Sequence, residues 1–249
     1  MTELVTICHP RFAAQLVMLL LLKTSLYVYA EPALFEASYT ASAGGFTASA
    51  QRSLSKIEKE RFLLENTMEV VVMGATLLEA KESSVFTWQA DAIIPYAYRY
   101  KQSGLSQSRQ QASFDYANNA ITSIDDGEVS QLHLINGIMD KLGYQLGLRQ
   151  AIQKQEPKLL FSVVDGDEIE VYEFRVARSE VLETPVGKLN TVRVERLHQP
   201  GSDRETVFWL AKDWDYLLIK LSQTRNNGTA SELMLERASV NGTNVVGLP

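Results

Sequence analysis

The sequence predicts a mainly β protein: an antiparallel meander forming a curved sheet or partly closed barrel, with one helical insertion around residues 128–154. Three observations carry the prediction. Apolar residues alternate with polar ones in short segments from Phe35 to Ala238, and a period of two sends one face of a strand to a core and the other to water. Turn residues punctuate these segments at intervals of about 8–12 residues, as a sandwich or barrel requires. One stretch alone changes to spacings of three and four, the period of an amphipathic helix.

The first thirty residues are expected to be an export signal. Arg11 precedes an apolar run from Phe12 to Leu22, broken only by Gln15, and the small residues Val28 and Ala30 stand before Glu31. A basic start, a short apolar stretch and small residues at −3 and −1 define a secretory signal. The run falls short of the ~20 residues that span a bilayer. An uncleaved anchor from Phe12 to Ala30 is the competing reading. Residues 31–249 then form a single β-rich domain.

The strands follow in order. Phe35, Ala37, Tyr39 and Ala41 share one parity before Gly44-Gly45 turns the chain into Phe46 to Ser55. Arg61 to Met73 and Thr76 to Trp88 form a longer pair joined at Gly74. Val70-Val71-Val72-Met73 is apolar at every position, which predicts a strand end covered on both faces. Tyr98 to Tyr100, Gln111 to Tyr116 and Ala120 to Ile124 continue, with Asn118-Asn119 as a tight turn. Leu132, Ile135, Ile138, Met139, Leu142 and Leu146 mark the helix, which Asp126 or Ser130 would cap and Gly143 or Gly147 would end or bend. Strands resume at Leu159, pair across Asp165-Gly166, turn at Thr184-Pro185-Val186-Gly187, and run through Lys188 to Arg196, Glu205 to Ala211, Leu217 to Thr224 and Ala230 to Ala238.

Several phrases along these strands resemble a bacterial exported family, the domain-of-unknown-function family 3108. They are Ser84, Ile94-Pro95, Tyr98 and Phe114-Asp115-Tyr116, then Tyr172-x-Phe174-x-Val176, Glu180-x-x-x-Thr184-Pro185-x-Gly187, Thr191-x-Arg193-Val194, Trp209-Leu210-Ala211 and Asp215-Tyr216-x-x-Ile219-Lys220. The resemblance covers roughly residues 35 to 237, with Leu218 where that family typically has proline. It implies export to the bacterial envelope and a β-rich fold, and no established reaction.

Composition removes several function classes. The 249 residues carry 24 Lys plus Arg against 30 Asp plus Glu, a net charge of −6, and a nucleic-acid groove needs a basic face. Loss of Glu3, Arg11 and Lys23 with the signal makes the exported part more acidic still. The single cysteine, Cys8, leaves no disulfide and no thiolate cluster. Charges interrupt nearly every strand, which disfavours a membrane barrel with a lipid-facing wall.

Chemistry-bearing patterns are few. Beyond residue 30 the only histidines are His133 and His198, too few for a zinc site of the usual kind. Asp165-Gly166-Asp167-Glu168 reads as a turn, and Asp125-Asp126-Gly127-Glu128 as the start of a helix, where negative charge meets the positive dipole end. No nucleophile elbow or phosphate loop is present. Phe86 and Trp88 share a strand face, as do Tyr96, Tyr98 and Tyr100. Phe86, Trp88, Tyr98 and Tyr100 are the candidates for lining an apolar ligand groove; the competing reading places them in an ordinary core against the helix.

These readings point to a non-catalytic protein of the Gram-negative periplasm that binds a lipid, another apolar ligand or an envelope protein. No cofactor, metal, nucleic acid or transmembrane span of the exported chain is expected. The alternative is an envelope hydrolase using His133 or His198 with a carboxylate.

Overall fold

Tight turns make each strand fold back on the one before it. The computed structural model describes residues 31–198 and 201–249; the expected export signal, residues 1–30, lies outside the described residues. Strand β1 (Phe35–Ala43) passes through Gly44-Gly45, both at positive φ, into β2 (Phe46–Glu58). Two positive φ values in a two-residue loop give the turn whose twist matches that of paired strands. The same device, through Met73-Gly74, joins β3 (Arg61–Val72) to β4 (Ala75–Gln89), and through Ala90-Asp91 joins β4 to β5 (Ala92–Gly104). Then come β6 (Ser108–Asp115), β7 (Ala120–Asp125) and β8 (Glu128–His133). Helix α1 (Tyr144–Gln153) precedes β9 (Leu159–Asp165), β10 (Glu168–Thr184), β11 (Gly187–Leu197), β12 (Arg204–Ala211), β13 (Leu217–Arg225), β14 (Ala230–Val240) and the short β15 (Thr243–Asn244).

All fifteen strands form one antiparallel sheet in the order β8-β7-β6-β5-β4-β3-β2-β1-β14-β13-β12-β11-β10-β9, with β15 beside β14. The β1–β14 pairing joins the two ends of the described chain, Phe35 opposite Val240 and Ala43 opposite Ser231. The sheet curls and does not close. Between its edges β8 and β9 lies the segment 134–143: Met139 makes a parallel bridge to Val163, and Lys141 Nζ meets Asp165 at 2.5 Å. Ser123 Oγ also donates to the Gly166 carbonyl at 2.5 Å, tying β7 to the β9–β10 turn.

The helix is shorter than expected. Glu128–His133, assigned to it from sequence, is instead strand β8 paired with β7, with Asp125 opposite Glu128. Asp126 and Gly127 take φ of 46° and 99°, so they are the turn of a hairpin and not a helix cap. Of the apolar residues that suggested the helix only Leu146 lies in it; Ile138 and Leu142 are buried in the segment leading to it. The N-cap is Gly143, without a side-chain cap; Asp140 Oδ1 accepts from the Leu142 and Gly143 amides at 2.9 and 2.6 Å and so fixes the turn that leads into the helix. Gly147 lies inside the helix, against the Met139 methyl and the Phe161 ring, where a Cβ would collide.

Helix α1 fills the sheet's concave side, with seven of its ten residues buried. Tyr144, Leu148 and Ile152 pack on Phe161, Tyr172, Phe174 and Phe208, while Leu146 joins a larger cluster built on Phe62, Leu64, Phe86, Ile121, Ile219 and Leu235. Its last turn is pinned: Arg149 donates to the Asp215 carbonyl and carboxylate at 2.7 and 2.8 Å, and Gln150 donates to the Asp91 carbonyl at 2.8 Å. The C-terminal residues lie across the same end, the Gly247 and Leu248 amides donating to the Val186 and Lys188 carbonyls. That end is closed. Antiparallel alternation puts the turns after β1, β3, β5, β7, β9, β11 and β13 at the opposite end, the mouth.

Near the mouth the run Val70–Met73 departs from expectation. Val71 is exposed and Met73 fully so, because the end of β3 and its turn lie at the mouth, where no second layer covers them.

Candidate functional site

In an antiparallel pair, residues directly opposite present their side chains to one face, so register converts sequence into layers. Just inside the mouth, Leu221 stands opposite Leu233, Leu233 opposite Ala41 and Ala41 opposite Ala48; on the same wall Val70 faces Leu78. One rung deeper lie Leu235, Tyr39, Ala50, Met68 and Ala80. Alanine recurs where a filled core would need larger side chains, and the space remains open. A cavity of about 480 Å³ results, walled by Ala41, Ala48, Met68, Val70, Leu78, Leu221 and Leu233, with Phe46, Leu77 and Leu105 at its lip. Small-molecule sites range over roughly 300–1,000 Å³. The carboxylate on its wall, Glu232, is paired with Lys220 at 2.6 Å. A larger groove of about 810 Å³ is lined mostly by polar and charged residues, among them Glu36, Gln51, Arg52, Glu65, Thr67 and Arg237, with Ala37, Ala238 and Val245 as its apolar part.

Beneath the apolar rungs the register brings a polar layer: Arg52, Asn66, Glu82, Tyr100 and Gln110 in succession. Glu82 accepts from the Tyr98 hydroxyl at 2.8 Å and from Asn66 Nδ2 at 3.0 Å. Burial pushes its carboxyl above the ordinary range, the two hydrogen bonds opposing the shift. Asp140 is wholly buried, accepts from Ser84 Oγ at 2.6 Å, and is pushed up by burial in the same way. Arg52 is buried beside them, and among the described residues neither its Nε nor the Asn66 Oδ1 has a hydrogen-bond partner. Two buried carboxyls with pKa raised by burial, amid hydroxyl and amide donors and without a histidine, make a polar layer in the interior; none of these residues lines the 480 Å³ cavity.

The four aromatics singled out from sequence point inward but lie below the mouth. Phe86 is fully buried and stacked on Phe62 with ring centres 5.7 Å apart. Tyr98 is buried on Glu82 and raised in pKa by burial first and by that carboxylate second. Tyr100 is half-buried and donates to Gln102 Oε1 at 2.7 Å. Trp88 is partly buried against the main core cluster. None of the four lines the 480 Å³ cavity. Tyr96, read from sequence as sharing the face of Tyr98, points outward under the Arg61 guanidinium, because a register shift between Val85 and Phe86 inverts the alternation.

The histidines lie apart. His133 is exposed at the closed-end terminus of β8. His198 lies just past the mouth-end terminus of β11, 3.1 Å from Thr206 Oγ1, with its pKa lowered by burial and then by Arg196 and Arg204. Neither has a carboxylate partner among the described residues. The two acidic turns separated in sequence do meet: Asp125, Asp126, Glu128 and Asp167 border one shallow depression. Among the described residues no three His, Cys, Asp or Glu side chains are grouped to hold a metal ion, and no helix is long and apolar enough to cross a membrane.

The cavity wall is built of residues that are unremarkable one by one in the sequence. Its sequence signal is the run of small inward positions Ala37, Ala41, Ala43, Ala48 and Ala50, which leaves the wall thin.

Comparison with known proteins places this architecture. The family model described as "Protein of unknown function (DUF3108)" matches residues 35–236. No curated protein matches the chain. A β-barrel-like protein of the DUF1849 domain of unknown function from Brucella abortus is similar in structure, with a TM-score of 0.56 at 10% identity, covering 85% of this chain and 99% of that one. A provisionally assigned lipoprotein of Parabacteroides distasonis overlaps with a TM-score of 0.36 at 8% identity, covering 84% and 100% of the two chains. A provisionally assigned exported protein with a YmcC-like fold from Bacteroides fragilis overlaps with a TM-score of 0.30 at 10% identity, covering 83% and 94%.

Proposed function

The chain belongs to the DUF3108 family of proteins of unknown function, and from that premise we propose that it is an exported, non-catalytic envelope protein of the Gram-negative periplasm that holds the acyl chain of a lipid in its mouth. The observation that carries this reading is the aliphatic cavity of about 480 Å³ between Ala48, Val70, Leu78 and Leu233. Such a wall offers an acyl chain release from water, about 0.8 kcal/mol for each buried methylene; the polar residues that border it are Ser42, Gln223, Ser231 and the Lys220-paired Glu232. Export is supported by the basic-apolar-small pattern of residues 1–30, with cleavage after Ala30 leaving the β-rich domain 31–249.

The test is a titration of protein recovered after export with 11-(dansylamino)undecanoic acid, followed by displacement with hexadecanoic acid. Saturable binding at one site, displaced by the unlabelled acid, is the expected result. Absence of saturation, with no lipid in organic extracts of the purified protein, would overturn the reading. N-terminal sequencing checks the cleavage point.

A further inference from the structure

The mouth carries a second feature, which shares Phe46 and Leu105 with the lip of the cavity. Phe46, Met73 and Leu105 belong to three consecutive hairpins, β1–β2, β3–β4 and β5–β6, and are 56%, 103% and 80% exposed. These hairpins neighbour one another in the sheet and point the same way. The Leu105 amide donates to the Leu77 carbonyl at 2.9 Å, fixing the third tip beside the second. With strands about 4.8 Å apart, successive tips stand roughly 10 Å from each other. We propose that these three tips are a docking edge that inserts into the surface of a phospholipid bilayer.

Charge favours a bilayer. Residues 37–51, 70–78 and 102–108, the segments that build the three tips, contain no Asp, Glu, Lys, Arg or His, in a chain whose residues are 22% charged. Between the apolar side chains stand only glycine, alanine, serine, threonine and glutamine at the turns themselves. A protein partner would be oriented by charges around an apolar centre. A hydrocarbon phase excludes charge and asks for no matching geometry. Met73 sharpens the point. It occupies the first position of a tight turn at φ 51°, where Asn, Asp or Gly is the usual residue, and its fully exposed side chain gains nothing from packing. Of the turns that flank the three tips, β7–β8 bears Asp125, Asp126 and Glu128, with Asp167 beyond it, while Arg225 of the β13–β14 turn is paired with Asp203. Anionic headgroups repel those acids, so the docking surface is a zwitterionic one, entered by apolar insertion.

The experiment is co-sedimentation of protein recovered after export with phosphatidylcholine vesicles, repeated with vesicles of equal parts phosphatidylcholine and phosphatidylglycerol. Expected are partition into phosphatidylcholine vesicles that survives an increase of salt to about 1 M, where the screening length falls to ~3 Å, and weaker partition with phosphatidylglycerol present. The triple variant Phe46→Ser, Met73→Ser, Leu105→Ser is expected to lose at least about tenfold in partition. Its circular dichroism and thermal midpoint stay those of the wild type, because the three side chains are exposed. The proposal is overturned if the wild type stays in the supernatant, if the triple variant sediments equally, or if binding needs phosphatidylglycerol and vanishes with salt. It is equally overturned if the tips mediate a dimer in solution and no vesicle binding. Cavity occupancy is read separately by the dansyl titration, so either result can fail without the other.

Discussion

Replacing Val70 by aspartate tests the cavity most directly. Val70 faces Leu78 across the β3–β4 pair and contributes to the aliphatic wall. In the free protein the wall is half-exposed, so the new carboxylate keeps water and stability falls by only about 1–2 kcal/mol, as for an ordinary destabilising substitution. An acyl chain that fills the cavity strips that water, and the effective penalty for desolvating an unpaired carboxylate is several kcal/mol. Even about 2.7 kcal/mol of it corresponds to a hundredfold loss of affinity. Val70→Ala removes about two methylene equivalents, roughly 1.6 kcal/mol, and weakens binding by about fifteenfold at most. The dansyl titration therefore orders the proteins as wild type, then Val70→Ala, then Val70→Asp. Lowering the pH towards about 4 protonates the new side chain and recovers part of its loss, whereas the alanine variant stays as it is. A Val70→Asp protein that binds within threefold of wild type would refute the reasoning.

Three further outcomes follow from the interior. Phe62→Ala empties a fully buried site stacked on Phe86, and urea unfolding should show a loss of about 3–5 kcal/mol; a loss below ~1 kcal/mol would mean that this stack is not part of a tight core. Gly104→Ala adds a Cβ against the Leu77 carbonyl at a φ of 106°, so a cost of about 2 kcal/mol or more is expected as a lowered thermal midpoint; an unchanged midpoint would exclude the close approach. Glu82→Gln is a test with a sign. The folded-state carboxyl of Glu82 lies above its ordinary range through burial, so its contribution to stability is fully present below the unfolded value, about pH 4.3, and is lost as pH rises through the raised folded value. Gln does not ionise, so the variant should gain on wild type as pH rises from about 4 to 8, measured by unfolding at each pH. A pH-independent difference would count against a Glu82 carboxyl raised by burial.

Much of the architecture was legible from local pattern. A period of two, interrupted by Gly44-Gly45, Asn118-Asn119 and Asn227-Gly228, specifies hairpins whatever the rest of the chain does, because such turns need positive φ and strands need one wet face. Local pattern failed where two local rules agree on the residues and differ on the outcome. Asp126-Gly127 satisfies both a helix start and a hairpin turn, and only the partner strand Ala120–Asp125, offering a ladder to Glu128–His133, selects the hairpin. Likewise the spacing from Leu132 to Leu146 is helical, yet its first half lies in a strand and a loop, and helix begins only after Gly143.

The candidate site was scarcely legible, and the reason lies in distance along the chain. Ala41 lines the cavity with Leu233, a neighbour created only when β1 pairs with β14. Glu82 and Asp140 look like surface acids until the register and the segment 134–143 enclose them. Phe86 and Tyr98 looked like a groove until the depth of each rung was known. By itself, the sequence determined which residues turn, which alternate, and that the product is an antiparallel β meander, since those are properties of neighbouring residues. Tertiary structure alone decided which rung is filled and which is empty, because a cavity is a relation among strands whose register is set across almost the whole length of the chain.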